Sequence, residues 1–276
     1  MYQEIFSTLN ELRSRGAPFA IATVVEIEGS SSAKPGSKAL IDADARVILG
    51  WVGGGCVENV VRQEAMESIR DGRPRIVSVD LTDEVFGVGM PCGGTMKVYI
   101  DPILPPPQLV IVGHGRIAET LALFGETAGF SVTVADPGAT SEAFPTTTRI
   151  VSTGFSSAEI NIGPDTYVVV ATQHKADHLS IRKAIEGGAA YIALVASRTR
   201  AQLVFDYLVA AGIDESRLAQ ANVRAPAGLD IGAETPEEIA LSIMSEIVLV
   251  RRGGSGRTML LAKGIQLGGT ASSPSD

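Results

Sequence analysis

Three glycine-rich loops hold the residues of this sequence best suited to chemistry. In the first, Gly53-Gly54-Gly55-Cys56-Val57-Glu58, a glycine run meets the start of an expected helix. Consecutive glycines expose backbone N–H groups there, an arrangement that cradles anions. Cys56 falls in the first helical turn, where the helix dipole favours thiolate over thiol. The second cysteine, Cys92, stands on a similar loop, Pro91-Cys92-Gly93-Gly94-Thr95. A free cysteine is most often a small buried hydrophobe, but cores seldom need glycines on both sides of it. Two thiols on such loops suit a soft metal ligand, a sulfur acceptor or a nucleophile, and composition does not choose among these. The polar run Ser30-Ser31-Ser32, with Lys34 and Lys38 nearby, is placed to complete a third wall.

The third loop carries different chemistry. Val112-Gly113-His114-Gly115-Arg116-Ile117-Ala118 is a G-x-G-x-x-A run between an expected strand and an expected helix. Gly113 permits the tight turn, Gly115 lets the backbone approach a pyrophosphate, and the small Ala118 lets helix and strand pack closely. Phosphate would sit over the helix N-terminus, where unpaired N–H groups favour an anion. Asp136 ends the following strand, roughly 20 residues on, where a carboxylate can hold a ribose 2′-hydroxyl. Arg116 either reaches the phosphate or caps the surface. The bland reading of the whole loop is a Rossmann turn that has lost its ligand.

Three histidines, His114, His174 and His178, complete the candidates. His174 and His178 are spaced i, i+4 around Asp177, as a metal pair on a helix would be, but no third ligand is evident. A polar loop at the mouth of the nucleotide crevice is the plainer reading. Asp230 and Glu234 flank a turn and read as architecture.

These loops need scaffolds, and the chain supplies two kinds. Ile5, Leu9 and Leu12 have helical spacing, 19–27 is a β-branched strand, and 38–41 with 47–52 form a hairpin around 42–46. A helix then runs to about Arg70, with strands at 75–81 and 96–100. Past the prolines of 103–108 the rhythm becomes strand, helix, strand: strands at 109–112, 132–135, 167–171 and 191–195, and helices at 117–128, 180–186 and 201–211. Such alternation predicts a parallel sheet covered by helices. Thr235-Pro236-Glu237-Glu238 opens the last helix, to about Arg251, with a capping box. The expected fold is therefore α/β: an N-terminal mixed α+β domain over 1–103, a Pro-rich linker at 104–108, a Rossmann-type doubly wound parallel sheet domain over 109–252, and a loose tail over 253–276.

Composition excludes several classes. Asp and Glu outnumber Lys and Arg by 31 to 23, a net charge of −8, and aromatics are 5%. A nucleic acid would be repelled on average. No run approaches the roughly 18 apolar residues of a membrane span, and the acidic, amphipathic start lacks a secretion signal, so a cytoplasmic protein is expected. Two cysteines are too few for a disulfide framework or a four-thiolate zinc site.

Taken together, EGSSSAKPGSKALI, GWVGGGCVE and MPCGGTMKVYI resemble the N-terminal domain of the XdhC/CoxI family. GHGRIA and APAGLDIGAETPEEIALSIMSEIV resemble that family's Rossmann domain, so the likeness runs from Ala20 to Arg251. Ser32 and Ala33 stand where the family loop often carries Pro and Arg, and Ala196-Ser197-Arg198 where it usually reads GSR. The resemblance implies a maturation factor that binds molybdenum cofactor (molybdopterin or its cytosine dinucleotide), supports its sulfuration through a cysteine desulfurase, and inserts it into an apo molybdenum hydroxylase such as xanthine or carbon monoxide dehydrogenase. It implies a carrier more than a catalyst, with Gly53, Gly54, Gly55, Cys56, Cys92, Gly93 and Gly94 at the cofactor and the two thiols toward molybdenum. Gly113, His114, Gly115, Arg116, Ala118 and Asp136 would hold NAD(P) or another nucleotide. An NAD(P)-dependent oxidoreductase and a nucleotide-sensing module stay open as alternatives. A homodimer is compatible with both the resemblance and an exposed sheet edge.

Overall fold

The structure, a computed structural model, describes residues 2–29, 31–80, 94–145, 147–156, 158–172 and 176–264. The chain divides into two compact units, Met1–Pro106 and Pro107–Asp276. The first holds helix α1 (Tyr2–Ser14), strands β1 (Phe19–Gly29), β2 (Lys38–Asp42) and β3 (Val47–Gly50), helix α2 (Gly55–Asp71), and strands β4 (Arg75–Asp80) and β5 (Gly94–Ile103). Its five strands form one antiparallel sheet in the order β3-β2-β1-β5-β4. Side chains alternate across a strand, and β5 shows it: Met96, Val98 and Ile100 are fully buried while Lys97 and Tyr99 face out. Helix α2 answers with Val57, Val61, Ala65 and Ile69, one residue per turn, laid on that same face. The β2–β3 hairpin turns where Asp42 Oδ1 accepts from the N–H groups of Asp44 and Arg46, a side-chain closure typical of aspartate.

The second unit runs β6 (Gln108–Val112), α3 (Arg116–Thr127), β7 (Ser131–Ala135), β8 (Arg149–Ile150), β9 (Thr166–Val170), α4 (Asp177–Glu186), β10 (Tyr191–Leu194), α5 (Arg198–Ala210), α6 (Glu215–Gln220), β11 (Val223–Arg224), α7 (Pro236–Arg252) and α8 (Met259–Ala262). All strand pairings are parallel, in the order β11-β10-β9-β6-β7-β8. That is the doubly wound dinucleotide-binding order. Leu109, Ile111, Val132, Val134 and Val169 pack with α3 and α7. Their neighbours Val110, Val112, Val168 and Val170 pack with α4, α5 and α6 on the opposite face. Burial on both faces explains why these strands read as unbroken apolar runs. The stretch from Gly253, expected to lie loose, contains the single turn of α8. Among the described residues no helix is long and apolar enough to cross a membrane.

Helix α7 begins with the capping box anticipated above: Glu238 N–H donates to Thr235 Oγ1, and Glu238 accepts from Thr235 N–H. One turn of its buried face carries a charge. Tyr191 Oη donates to Glu246 Oε2 at 2.6 Å, and Gly228 N–H donates to the same oxygen at 2.9 Å. Burial, reinforced by the Glu246 carboxylate, pushes the Tyr191 hydroxyl above the usual tyrosine range, so it remains a donor. Tyr191→Phe is expected to cost about 1.5–3 kcal/mol of stability, the worth of a hydrogen bond to a carboxylate. Urea denaturation measures this, and a loss under about 0.3 kcal/mol would show that the pair contributes nothing.

Candidate functional site

In the first unit the candidate residues gather at the start of α2. Gly53 is buried with φ +143°, and an added Cβ would press on the Val57 side chain at 3.1 Å. Glycine there is structural. Gly54 and Gly55 differ: neither has a positive φ, and among the described residues nothing lies within 4 Å of a Cβ built on either. The first helical bond runs from Glu58 N–H to Gly54 O, and no side chain caps the helix. The N–H groups of Gly55, Cys56 and Val57 precede that bond and have no partner within the helix. Cys56 carries a free, exposed thiol on this turn. The commonest fate of a lone cysteine, burial in a core, is not its fate.

The other expected walls fare differently. Gly94 opens β5 opposite Gly29, and a Cβ on it would overlap the Glu28 carbonyl, so its lack of a side chain serves the β1–β5 approach. Lys38 Nζ donates to Thr23 Oγ1 at 3.0 Å within the sheet. Cys92 and Gly93 lie outside the described residues.

In the second unit strand order reverses between β6 and β9, where doubly wound sheets open a crevice at the carboxyl ends of the strands. A cleft of about 720 Å³ lies there, lined from Val112 and His114 through Ala135 to Gly138, across Phe155, to Thr172 and α4. Its size suits a small organic ligand. Gly113 has φ +128° and a Cβ on it would overlap the Ala171 carbonyl oxygen. Gly115 has φ +99° with open space before it, and Ala118 is buried in the core between α3 and the sheet.

Asp136 directly follows β7, and its Oδ1 accepts from Gly138 N–H at 2.7 Å and meets His114 Nδ1 at 2.8 Å. The sequence singled out both side chains but not their contact. Arg116 turns to α7 instead: its Nε donates to Glu237 Oε1 at 2.7 Å, and Glu119 stands at 3.8 Å. The pair holds the Glu237 carboxyl below the usual carboxylate range and raises the guanidinium. Both of these partners of Arg116 are carboxylates on helices of the second unit.

Beside the crevice, the contacts of Asp177 and the place of Lys183 escaped sequence reasoning. Asp177, buried at the first position of α4, accepts from Thr172 Oγ1 and from Arg200. Lys183 donates to the Phe155 carbonyl and its ammonium lies 4.9 Å from the Phe155 ring centroid, with burial lowering its pKa. His178 packs on Tyr207, ring centroids 4.1 Å apart, and Asp177 pairs with Arg200; His174 lies outside the described residues. Among the described residues no three His, Cys, Asp or Glu side chains gather as a metal site.

The GLDIGAETPEEIALSI run is architecture. Gly228 has φ +99°, a Cβ on it would overlap Ser242 Oγ, and Ser242 Oγ donates to Leu229 O at 2.5 Å. Leu229 and Ser242, with the Thr235–Glu238 cap, tie this loop to α7.

An exposed thiol on an uncapped glycine helix start and a Rossmann-type crevice, each on its own unit of one chain, define the class. Residues 109–247 match the model of the XdhC Rossmann domain, and residues 12–80 that of the XdhC and CoxI family. The chain belongs to the XdhC and CoxI family. It is 33% identical over 263 residues to uncharacterized protein YqeB of Escherichia coli (strain K12), covering 93% of this chain and 48% of that protein. A probable xanthine dehydrogenase subunit of Bacillus subtilis (strain 168) is 32% identical over 165 residues, covering 57% of this chain and 47% of its own length. The chain therefore spans about half the length of these two relatives. The molybdenum cofactor insertion chaperone PaoD of Escherichia coli (strain K12) is 25% identical over 271 residues, 86% of this chain and 84% of PaoD. The crystal structure of a xanthine dehydrogenase from Bacillus halodurans aligns at a TM-score of 0.46 with 21% identity, over 92% of this chain and 96% of that one.

Proposed function

We propose that this chain holds molybdenum cofactor and passes it to an apo molybdenum hydroxylase of the xanthine or carbon monoxide dehydrogenase type. The observation that carries the reading is the start of α2: three backbone donors, open space before Gly54 and Gly55, and the exposed Cys56 thiol on one turn. Backbone donors at a helix start suit the phosphate of a molybdopterin, and a soft thiolate suits a molybdenum–sulfur face. The likeness to PaoD over most of both chains supports the same role. A cysteine desulfurase is the proposed partner that would supply the sulfur of the cofactor's terminal ligand while this chain holds the cofactor. Cys92 is proposed as a second thiol toward the metal, with Gly93 on its loop. The crevice of the second unit takes a nucleotide, its pyrophosphate over the start of α3 and its ribose at Asp136.

The test is to co-express the protein in a host that makes molybdenum cofactor, purify it without oxygen, and quantify released pterin by fluorescence after oxidation. Near-stoichiometric pterin is expected, falling about tenfold or more in Cys56→Ala. Because Cys56 is exposed, the variant should keep the wild-type melting midpoint. Full pterin retention and normal maturation of the target hydroxylase by the variant would count against this site. A nicotinamide nucleotide with no pterin, turned over with a carbonyl substrate, would favour the oxidoreductase reading.

A further inference from the structure

The nucleotide proposed for the second unit has two common forms, with the adenosine ribose 2′-hydroxyl free or phosphorylated. The crevice is not neutral between them. Asp136 sits at the end of β7 with its side chain 20% exposed. Both protein contacts fall on one carboxylate oxygen: Gly138 N–H and His114 Nδ1 meet Oδ1. An ionised carboxylate only accepts, so Nδ1 carries the proton and donates. Among the described residues Oδ2 has no partner, leaving one acceptor fixed in direction and available to a hydroxyl. Gly138 makes this possible. A Cβ there would stand 2.8 Å from His114 Cε1 and 3.0 Å from Nδ1, so any side chain would push the imidazole off Asp136.

Charge points the same way. Among the described residues lining the cleft, the sole lysine or arginine is Lys183, held at the Phe155 carbonyl and ring. Arg116, on the glycine loop itself, is engaged by Glu237 and Glu119. A 2′-phosphate would bring about two negative charges against Asp136 with no neighbouring guanidinium to receive them.

The geometry points to a crevice that selects nucleotides with a free ribose 2′-hydroxyl over their 2′-phosphorylated counterparts, with Asp136 as the reader and His114 and Gly138 as its positioning residues. This rests on the reading of the crevice as a nucleotide site.

The experiment is calorimetric titration of the full chain with NAD⁺, NADP⁺, ADP-ribose and ADP-ribose 2′-phosphate at low and high salt. In each pair the unphosphorylated ligand should bind at least about tenfold tighter. The preference should narrow as salt screens the carboxylate. In Asp136→Ser it should shrink to within about threefold through tighter binding of the phosphorylated ligand, a gain that mere destabilisation would not produce. Gly138→Ala, at a position without positive φ, should lose selectivity while its unliganded melting midpoint stays near wild type. If the wild-type chain binds both members of each pair equally, the selectivity is overturned and the nucleotide reading survives. If none of the four binds, both fall.

Discussion

Gly113→Ala is expected to destabilise the second unit by about 3 kcal/mol and, if the crevice takes a nucleotide as proposed, to abolish its binding. Two costs combine. The first is conformational, since φ +128° lies in a region that a side chain occupies only under strain. The second is steric: the new Cβ would overlap the Ala171 carbonyl oxygen and lie 2.7 Å from its carbon and 3.1 Å from Thr172 N. These are backbone atoms at the end of β9, tied back by the Ala171 N–H to Val112 carbonyl bond at 2.8 Å. They can yield only by parting β9 from β6, the pair that frames the crevice. Gly115→Ala is the control, because its φ of +99° faces open space and only the conformational cost of about 1–2 kcal/mol applies. Urea denaturation of both variants decides it. Equal losses would mean that the close approach of the two strand ends is not what Gly113 serves.

Asp177→Ala is expected to cost a comparable 3 kcal/mol or so, although Asp177 belongs to no motif. The carboxylate is buried and Arg200 is largely so, at 5% and 18% side-chain exposure. Removing one partner of a buried pair leaves the other charged and unpaired. The double variant Asp177→Leu/Arg200→Met should recover most of that loss, since replacing both partners with apolar groups removes the uncompensated charge. Comparing the three melting midpoints tests this directly. A double variant as unstable as the single one would place the cost in packing and not in charge.

What the sequence revealed and what it hid divide along one physical line. Features written locally were legible. The apolar strands of the second unit, the glycine loop with Ala118, the β2–β3 hairpin and the Thr235–Glu238 capping box all depend on residues a few positions apart. Cys56 was read into the first turn of α2, where the structure has it. Contacts between elements were not legible. Asp177 meets Arg200 because parallel crossovers bring the starts of α4 and α5 to the same end of the sheet, and nothing in either segment alone encodes that. Glu246 of α7 gains its partner only when β10 brings Tyr191 to it. His114 and Asp136 were each noticed, but their bond depends on Gly138, whose need for a bare Cα shows only in three dimensions. The two-residue strands β8 and β11 are too short for any period to register.

The strand order of the first unit governs how it can be made. Strand β5 lies between β1 and β4, so the sheet has no continuous middle until residues 94–103 have been synthesised. A nascent chain that has emerged only as far as Asp80 possesses β4 without the neighbour to which it must bond, and β1 with one edge bare. Such an intermediate holds its halves apart on the ribosome and presents open edges for association. By the same logic, a fragment cut at residue 80, where the matched family segment ends, would lack β5, the strand that joins β4 to β1, and the shortest self-sufficient version of this unit must reach Ile103.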